Sequence, residues 1–418
     1  MELKVGYKQT EVGVIPEDWL VSPLEDFTSY ISYGFTNPMP TSHSGVCMVT
    51  AKDINLGHIN FETARYTTTE AYKTLLTDKS RPKKNDLLLT KDGTLGRLAL
   101  VGKETICINQ SVAILRPNNK VVPRFLKVLL EAPIYQERML QDAGGSTIKH
   151  IYITIVNRMP VAIPPTIAEQ QAIAEALSDT DALIESLDQL IAKKRQIKQG
   201  AIQELLTGKR RLPGFSGGWD VKTLDQIGEV SGAGVDKKIR SGEVPVRLVN
   251  YMDTYRNDFI SSNNLNHWVT APLHQARRCL VQKGDIFFTP SSETRDDIAN
   301  SAVSLEDIPD AAYSYHLVRL RLNEAWDLRF RAYAFKTRDF LSQAETLCDG
   351  SGTRYVISLS KFRSIAVKVP QPKEQTAIAE VLFAMDEELV ALESRLAKAR
   401  SIKQGMMQEL LTGRIRLL

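Results

Sequence analysis

The sequence predicts an α+β chain of two globular halves, each followed by a long helix, and three observations carry that prediction. The stretch Glu169–Leu212 recurs without a gap as Glu374–Leu417, with more than half of its positions identical. Both copies lack proline and return apolar residues every three or four positions, the period of one helix face. The segments ahead of each copy mix short β-type runs, turns and helical patterns with no regular strand–helix–strand rhythm, which favours α+β over a doubly wound parallel sheet. Solenoid units run to roughly 20–50 residues, so the repeat is a duplicated half-molecule. The boundaries fall at 1–165 and 209–369 for the globular domains, and at 166–208 and 370–418 for the helices.

Composition narrows the class. Over 418 residues, 43% are apolar and 24% charged, ordinary for a globular protein with ample core. A net charge of +4 permits nucleic-acid binding without demanding it, because the overall balance hides local patches. Cys47, Cys107, Cys279 and Cys348 are scattered with no CxxC spacing, the pattern of small buried residues in a reducing compartment. The N-terminus MELKVGYKQTEVGVIPEDW has no hydrophobic signal core and no long apolar run follows, so the chain is expected to be cytoplasmic.

In the first half, turn-rich YGFTNPMPTSHSG precedes the strand-like VCMVTAKDI, and Lys84-Asn85-Asp86 leads into the apolar LLLT. The loop KDGTLGR and the strands LALVG and SVAILRP follow, then a helix expected from about Arg124 to Gln141 and the turn Gly144–Thr147. The first long helix is predicted between Thr166 and Thr207, behind Pro164 and Pro165 and ahead of the stop residue Gly208. Its seam is Ile173, Leu177, Ile184, Leu187, Ile191, Ile202 and Leu205. About 40 residues at ~1.5 Å each make a rod of about 60 Å, and helices this long usually pair as coiled coils. Lys194, Arg195 and Lys198 interrupt the seam, so an antiparallel pair with room for partner helices is expected, the basic run KKRQIK reading as a solvated face.

The second half replays this order. Trp219 and Leu224 stand where Trp19 and Leu24 stood, and Lys283-Gly284-Asp285-IFFT matches Lys84-Asn85-Asp86-LLLT. The loop PSSETRDD replaces KDGTLGR, and a helix from about Asp327 to Ala344 leads to GSGTRYV. The second long helix follows Pro370 and Pro372, closes at Gly413, and carries Ile378, Leu382, Leu389, Leu392, Leu396, Ile402 and Leu410. Scaffold residues repeat while loop contents diverge, the pattern of two copies of one fold that recognise two different things.

No catalytic constellation is present. There is no GxxxxGK[ST] phosphate loop and no HExxH, and the six histidines lack metal-ligand spacing. SGAGV (Ser231–Val235) and LTGKR are weak glycine matches, and no NPPY-type methyltransferase tetrapeptide occurs. Glu293, Asp296 and Asp297 have no second cluster to complete a metal or acid–base site.

What remains is binding. Two loops follow apolar strands: one with Thr90, Lys91, Asp92, Thr94 and Arg97, the other with Thr289, Ser291, Ser292, Glu293 and Arg295. Arg pairs with guanine, Asp and Glu accept from cytosine, Ser and Thr adapt, and Lys holds phosphate. Two glycine-rich turns, with Ser146, Thr147 and Lys149 in one and Ser351, Thr353 and Arg354 in the other, suit phosphate oxygens.

The opening YKQTEVGVIPEDW, the PxxxEQxxIAExL start of each long helix and the closing QELLTG resemble the specificity subunit of type I restriction–modification systems. The resemblance implies two target-recognition domains joined by two antiparallel helices about a pseudo-twofold axis, each domain reading half of a split double-stranded DNA target. It implies no cofactor in this chain: S-adenosylmethionine belongs to two modification (methyltransferase) subunits docked on the helices, and ATP and magnesium to motor/nuclease restriction subunits. The helix seam residues are then the expected subunit interface. Two other readings are a coiled-coil scaffold binding proteins rather than DNA and, less favoured, a self-contained DNA methyltransferase.

Overall fold

A computed structural model describes residues 5–141 and 149–417. The chain divides into two compact units, Met1–Leu187 with Arg395–Leu418, and Asp188–Ser394. Each long helix contributes to both units: the first spans Ile167–Leu205 and the second Pro372–Leu410, 39 residues apiece, or about 58 Å.

In the first unit the apolar run Leu87–Thr90 is a central strand, hydrogen-bonded on one side to Leu98–Leu100 and on the other to Val112–Pro117, which in turn pairs with Thr28–Tyr33. The run is unbroken because both faces are covered: Leu87 and Leu89 enter one core and Leu88 another, as the two-residue period of a strand requires. A second sheet sets Val46–Val49 parallel to Ile106–Ile108 and antiparallel to Arg65–Thr67.

The second unit repeats this plan. Ile286–Phe288 lies between Ser301–Ser304 and Val318–Leu322, which pairs with Gly228–Ser231. Val244–Val249 runs parallel to Ile308–Tyr313 and antiparallel to Trp268–Ala271. Ile286 and Phe288 face one core and Phe287 the other. The Phe288 ring meets Phe335 at 5.1 Å and Phe362 at 5.0 Å between centroids, within the range of favourable edge-to-face pairs.

The aspartate that opens each central strand earns its place in the motif. Asp86 accepts from the Lys83 amide (2.7 Å) and takes the Arg116 guanidinium in a fork of 2.8 and 2.7 Å. Asp285 does the same with the Gln282 amide (2.8 Å) and Arg321 (2.7 and 2.7 Å). Both aspartates are buried, so the bidentate partner offsets their desolvation.

Two helices expected to be continuous are broken. The segment from Arg124 to Gln141 forms Pro123–Leu130 and Pro133–Gln141, because Pro133 cannot continue a helix and starts the next one. The segment from Asp327 to Ala344 forms Leu328–Ala334 and Arg338–Leu347, the latter capped by the Thr337 hydroxyl on the Phe340 amide at 3.2 Å.

Within each unit the helix segments run antiparallel. In the first, Asp181 pairs with Lys403 (2.6 Å) and Glu169 with Arg416, so position rises on one helix as it falls on the other. In the second, Lys194 meets Glu388 (2.7 Å), Arg195 meets Glu393 (2.5 Å) and Lys198 meets Asp386. In the basic run KKRQIK, Lys194, Arg195 and Lys198 thus make interhelical ion pairs, while Lys193, Arg195 and Gln196 stay exposed as expected of a solvated face.

The glutamate at the start of each helix is clamped in its own unit. Arg416 holds Glu169 (Nη2 to Oε2 2.7 Å) and also Asp18 (3.0 Å). Arg211 holds Glu374 (2.5 and 2.7 Å), which also accepts from the Trp219 indole at 2.9 Å. The following glutamine satisfies free backbone groups: Gln170 accepts from the Val122 amide (2.8 Å), and Gln375 from that of Asp327 (3.0 Å). Gly208 and Gly413, at φ +71° and +67°, end the helices in the left-handed turn that glycine tolerates.

The seam residues expected to form the subunit interface are mostly consumed inside the chain. Ile173, Leu177 and Leu410 belong to the first unit's core, and Ile202, Leu205, Ile378 and Leu382 to the second's. Leu187, Ile191, Leu389, Leu392 and Leu396 are also buried and Ile184 half-buried; Ile402 alone of the set is exposed. A side chain already packed at protein density has no face left for a partner.

Candidate nucleic-acid interface

The two loops singled out by sequence share one closure. In the first unit the buried Thr90 hydroxyl accepts from the Arg97 amide (2.9 Å), while the Thr90 amide donates to the Arg97 carbonyl (2.9 Å) and Gly96 to the Thr90 carbonyl (2.9 Å). In the second, the buried Thr289 hydroxyl accepts from the Asn300 amide (3.0 Å), its amide donates to the Asn300 carbonyl (2.9 Å), and Ala299 donates to the Thr289 carbonyl (2.9 Å). Gly96 and Ala299 both take positive φ, +79° and +62°. The closures coincide, and the second loop is longer. Thr90 and Thr289 are thus corrected as contact residues: fully buried, they pin the loops.

Each loop is paired with a segment that sequence placed far from it. His150 bridges to Asp92, and the Ile151 amide donates to the Lys91 carbonyl at 2.9 Å. In the second unit, Ser291–Ser292 pairs with Arg354–Val356, which pairs with Asp349–Ser351. Lys149 therefore lies beside Lys91 and Asp92, and Ser351, Thr353 and Arg354 lie beside the longer loop. Ser146 and Thr147 fall outside the described residues.

In the first unit Asp92 is occupied: it accepts from Lys91 (3.0 Å) and pairs with His150 Nδ1 (2.6 Å). Lys91 also sits 5.5 Å from the centre of the Tyr33 ring. The Thr94 hydroxyl donates to the Ala51 carbonyl (3.3 Å) and Arg97 to that of Ile54 (3.1 Å). Arg97 is nonetheless exposed, as is Lys149, and a guanidinium with five donors keeps several free after one bond.

In the second unit Ser291 lends its carbonyl to the Tyr251 hydroxyl (2.9 Å), and the nearly buried Ser292 hydroxyl donates to the Thr294 carbonyl. Arg295 lies over the Tyr355 ring, 5.3 Å from its centre. Glu293, Thr294, Arg295 and Asp296 are exposed at the apex, with Thr353 and Arg354 exposed nearby. Burial, then the neighbouring cations Lys237 and Arg354, hold the His316 imidazole below its ordinary pKa. These cations give that surface a field suited to phosphate.

Sequence reading did not single out Tyr33 and His150, which touch the first loop, or Tyr251, Tyr255 and Tyr355, which touch the second. The available signal was aromatic residues close to basic ones, since exposed aromatics beside cations are common at nucleic-acid surfaces. Among the described residues no group of three or more His, Cys, Asp or Glu is placed to hold a metal.

The chain matches the family described as "Type I restriction modification DNA specificity domain" twice, over residues 16–196 and 216–399. It is 22% identical to the MjaVIII type I restriction enzyme specificity subunit of Methanocaldococcus jannaschii, covering 99% of this chain and 96% of that one. It is 26% identical to the EcoBI specificity subunit of Escherichia coli over 54% of this chain and 48% of that one. In fold it resembles the crystal structure of the type I restriction–modification S subunit from M. genitalium, with a TM-score of 0.57, 18% identity and 98% of both chains covered. A chain from a structure describing assembly and conformational transition of the type I R–M system superposes with a TM-score of 0.56 at 14% identity, over 96% of this chain and 99% of that one. With two copies of its domain filling most of the sequence, the chain belongs to the type I restriction–modification DNA specificity family.

Proposed function

We propose that this chain is the non-catalytic DNA-specificity subunit of a type I restriction–modification complex, each recognition domain reading one half of a bipartite target. The observation that carries the reading is the common loop closure at Thr90 and Thr289 on one repeated scaffold, with loops of different length and content between. A constant frame with variable apex residues is what two readers of different base sequences need.

The long helices set the spacing of the half-sites and dock two modification subunits. Supporting the docking, Leu183, Leu190 and Ile197 are 47%, 38% and 47% exposed on the first helix at seven-residue spacing, a stripe that a partner helix would cover. Val390 and Ile402 are exposed on the second. S-adenosylmethionine, ATP and magnesium belong to the modification and restriction subunits, and the assembly works in the cytoplasm. No helix among the described residues is long and apolar enough to cross a membrane.

The test is base-modification sequencing of DNA from cells that express the chain with its modification subunit. A split motif with methyladenine in each half and a fixed gap is expected. A stable complex that modifies no new motif would overturn the reading and leave a protein-binding scaffold.

A further inference from the structure

We propose that the short helix Tyr251–Arg256 is a positioning element for one half-site, its two phenols setting the conformation of the second unit's reading loop. The inference rests on the functional reading above and assigns a role that the loop's own residues do not fill. Tyr251 and Tyr255 are four apart on this helix, and their rings stack at 5.9 Å with planes inclined by 18°. The Tyr251 hydroxyl donates to the Ser291 carbonyl at the loop's start, and the Tyr255 hydroxyl to Asp297 Oδ2 at its end, each at 2.9 Å. Asp297 Oδ1 accepts in turn from the Asn300 side chain at 3.1 Å, next to the closure at Thr289. The helix is itself fixed at its start, where Asp253 accepts from the Asn250 amide at 2.8 Å.

The residues between these two anchors, Glu293 to Asp296, are the exposed apex. The first unit braces its shorter loop in the opposite sense. There the turn Ala51–Asp53 and Ile54 offer carbonyls, and the loop's own Thr94 and Arg97 donate to them. The first loop also takes outside donors, Gln136 Nε2 on the Gly96 carbonyl (3.0 Å) and the Ile151 amide on that of Lys91 (2.9 Å), so what sets the second apart is that two hydroxyls of one helix anchor both of its ends. A reading residue held loosely contacts right and wrong bases with similar energy, so slack in the brace is lost discrimination rather than lost binding.

The test uses the complex reconstituted with its modification subunits, S-adenosylmethionine and duplexes bearing the target or single substitutions in either half. Tyr255→Phe removes the donor of this bond, and Asp297→Ala removes its acceptor together with the contact to Asn300. Each is expected to lower discrimination at one half-site about three- to tenfold, with the other half-site unchanged. The double variant loses no more than Asp297→Ala alone, since the shared bond can be removed only once. Denaturation midpoints of the free chains check folding. Equal losses at both half-sites, additive losses, or unchanged discrimination would each overturn the proposal. Absence of any split modified motif with the wild-type chain would instead overturn the functional reading, and this proposal with it.

Discussion

At position 234 a single methyl group is enough to disturb the second unit. A Cβ built there would lie 2.3 Å from the Ser314 carbonyl carbon, and one at Gly34 would lie 1.9 Å from the Ile108 carbonyl oxygen. Backbone cannot yield as a side chain tip can, so Gly234→Ala is expected to destabilise the chain by about 2–4 kcal/mol in denaturant titration. This glycine belongs to SGAGV, a weak phosphate-loop match in the sequence; its real constraint is a close approach made by a residue 80 positions away, which no local pattern records. Asp18 is a second residue whose role needs distance. Its hydrogen bonds from Arg416 hold its carboxyl below the ordinary value of 3.8. A depressed carboxylate contributes stability that is present above its ordinary pKa and is lost as pH falls through its folded value. The unfolding midpoint of Asp18→Asn is accordingly expected to fall less steeply than that of the wild type as pH is lowered from about 5 to about 3.

Elements were legible where a local period decides them. The first long helix ends within two residues of the predicted Thr166 and Thr207 and the second three residues before Gly413, and LLLT and the IFF of IFFT are central strands. The broken helices at Pro133 and Thr337 show the limit: a short loop between two helical patterns leaves the apolar period nearly intact. The same limit applies to the faces of the long helices. Periodicity identifies apolar residues without saying which face the chain covers for itself, so it could not separate the buried seam from the exposed stripe of Leu183, Leu190 and Ile197 proposed above to dock a partner. Leu190→Glu places a charge in that stripe. It should weaken association with the modification subunit at least about tenfold in a pull-down titration while helix content by circular dichroism is unchanged.

For the whole molecule, duplication was plain from the sequence, whereas the pairing of loop with turn was not, because nothing local joins TPSSETRDD to GSGTRYV. Helix length is the property that scales with the target. A matched insertion of four residues in both helices lengthens each by about 6 Å. At roughly 3.4 Å per base pair that should widen the unspecified gap by one or two base pairs, read by modification sequencing; an unchanged gap would remove the spacing role. The make-up of the first unit also bears on how the chain is born. Asp188–Ser394 is contiguous, but the first unit needs Arg395–Leu418 to finish its core, where Leu410 and Leu411 join Ile15, Trp19 and Leu177. During synthesis at about 5–20 residues per second, the half made first must therefore wait, apolar surface uncovered, through the translation of the entire second unit. The half that emerges first is thus the one whose core is finished by the last-made segment.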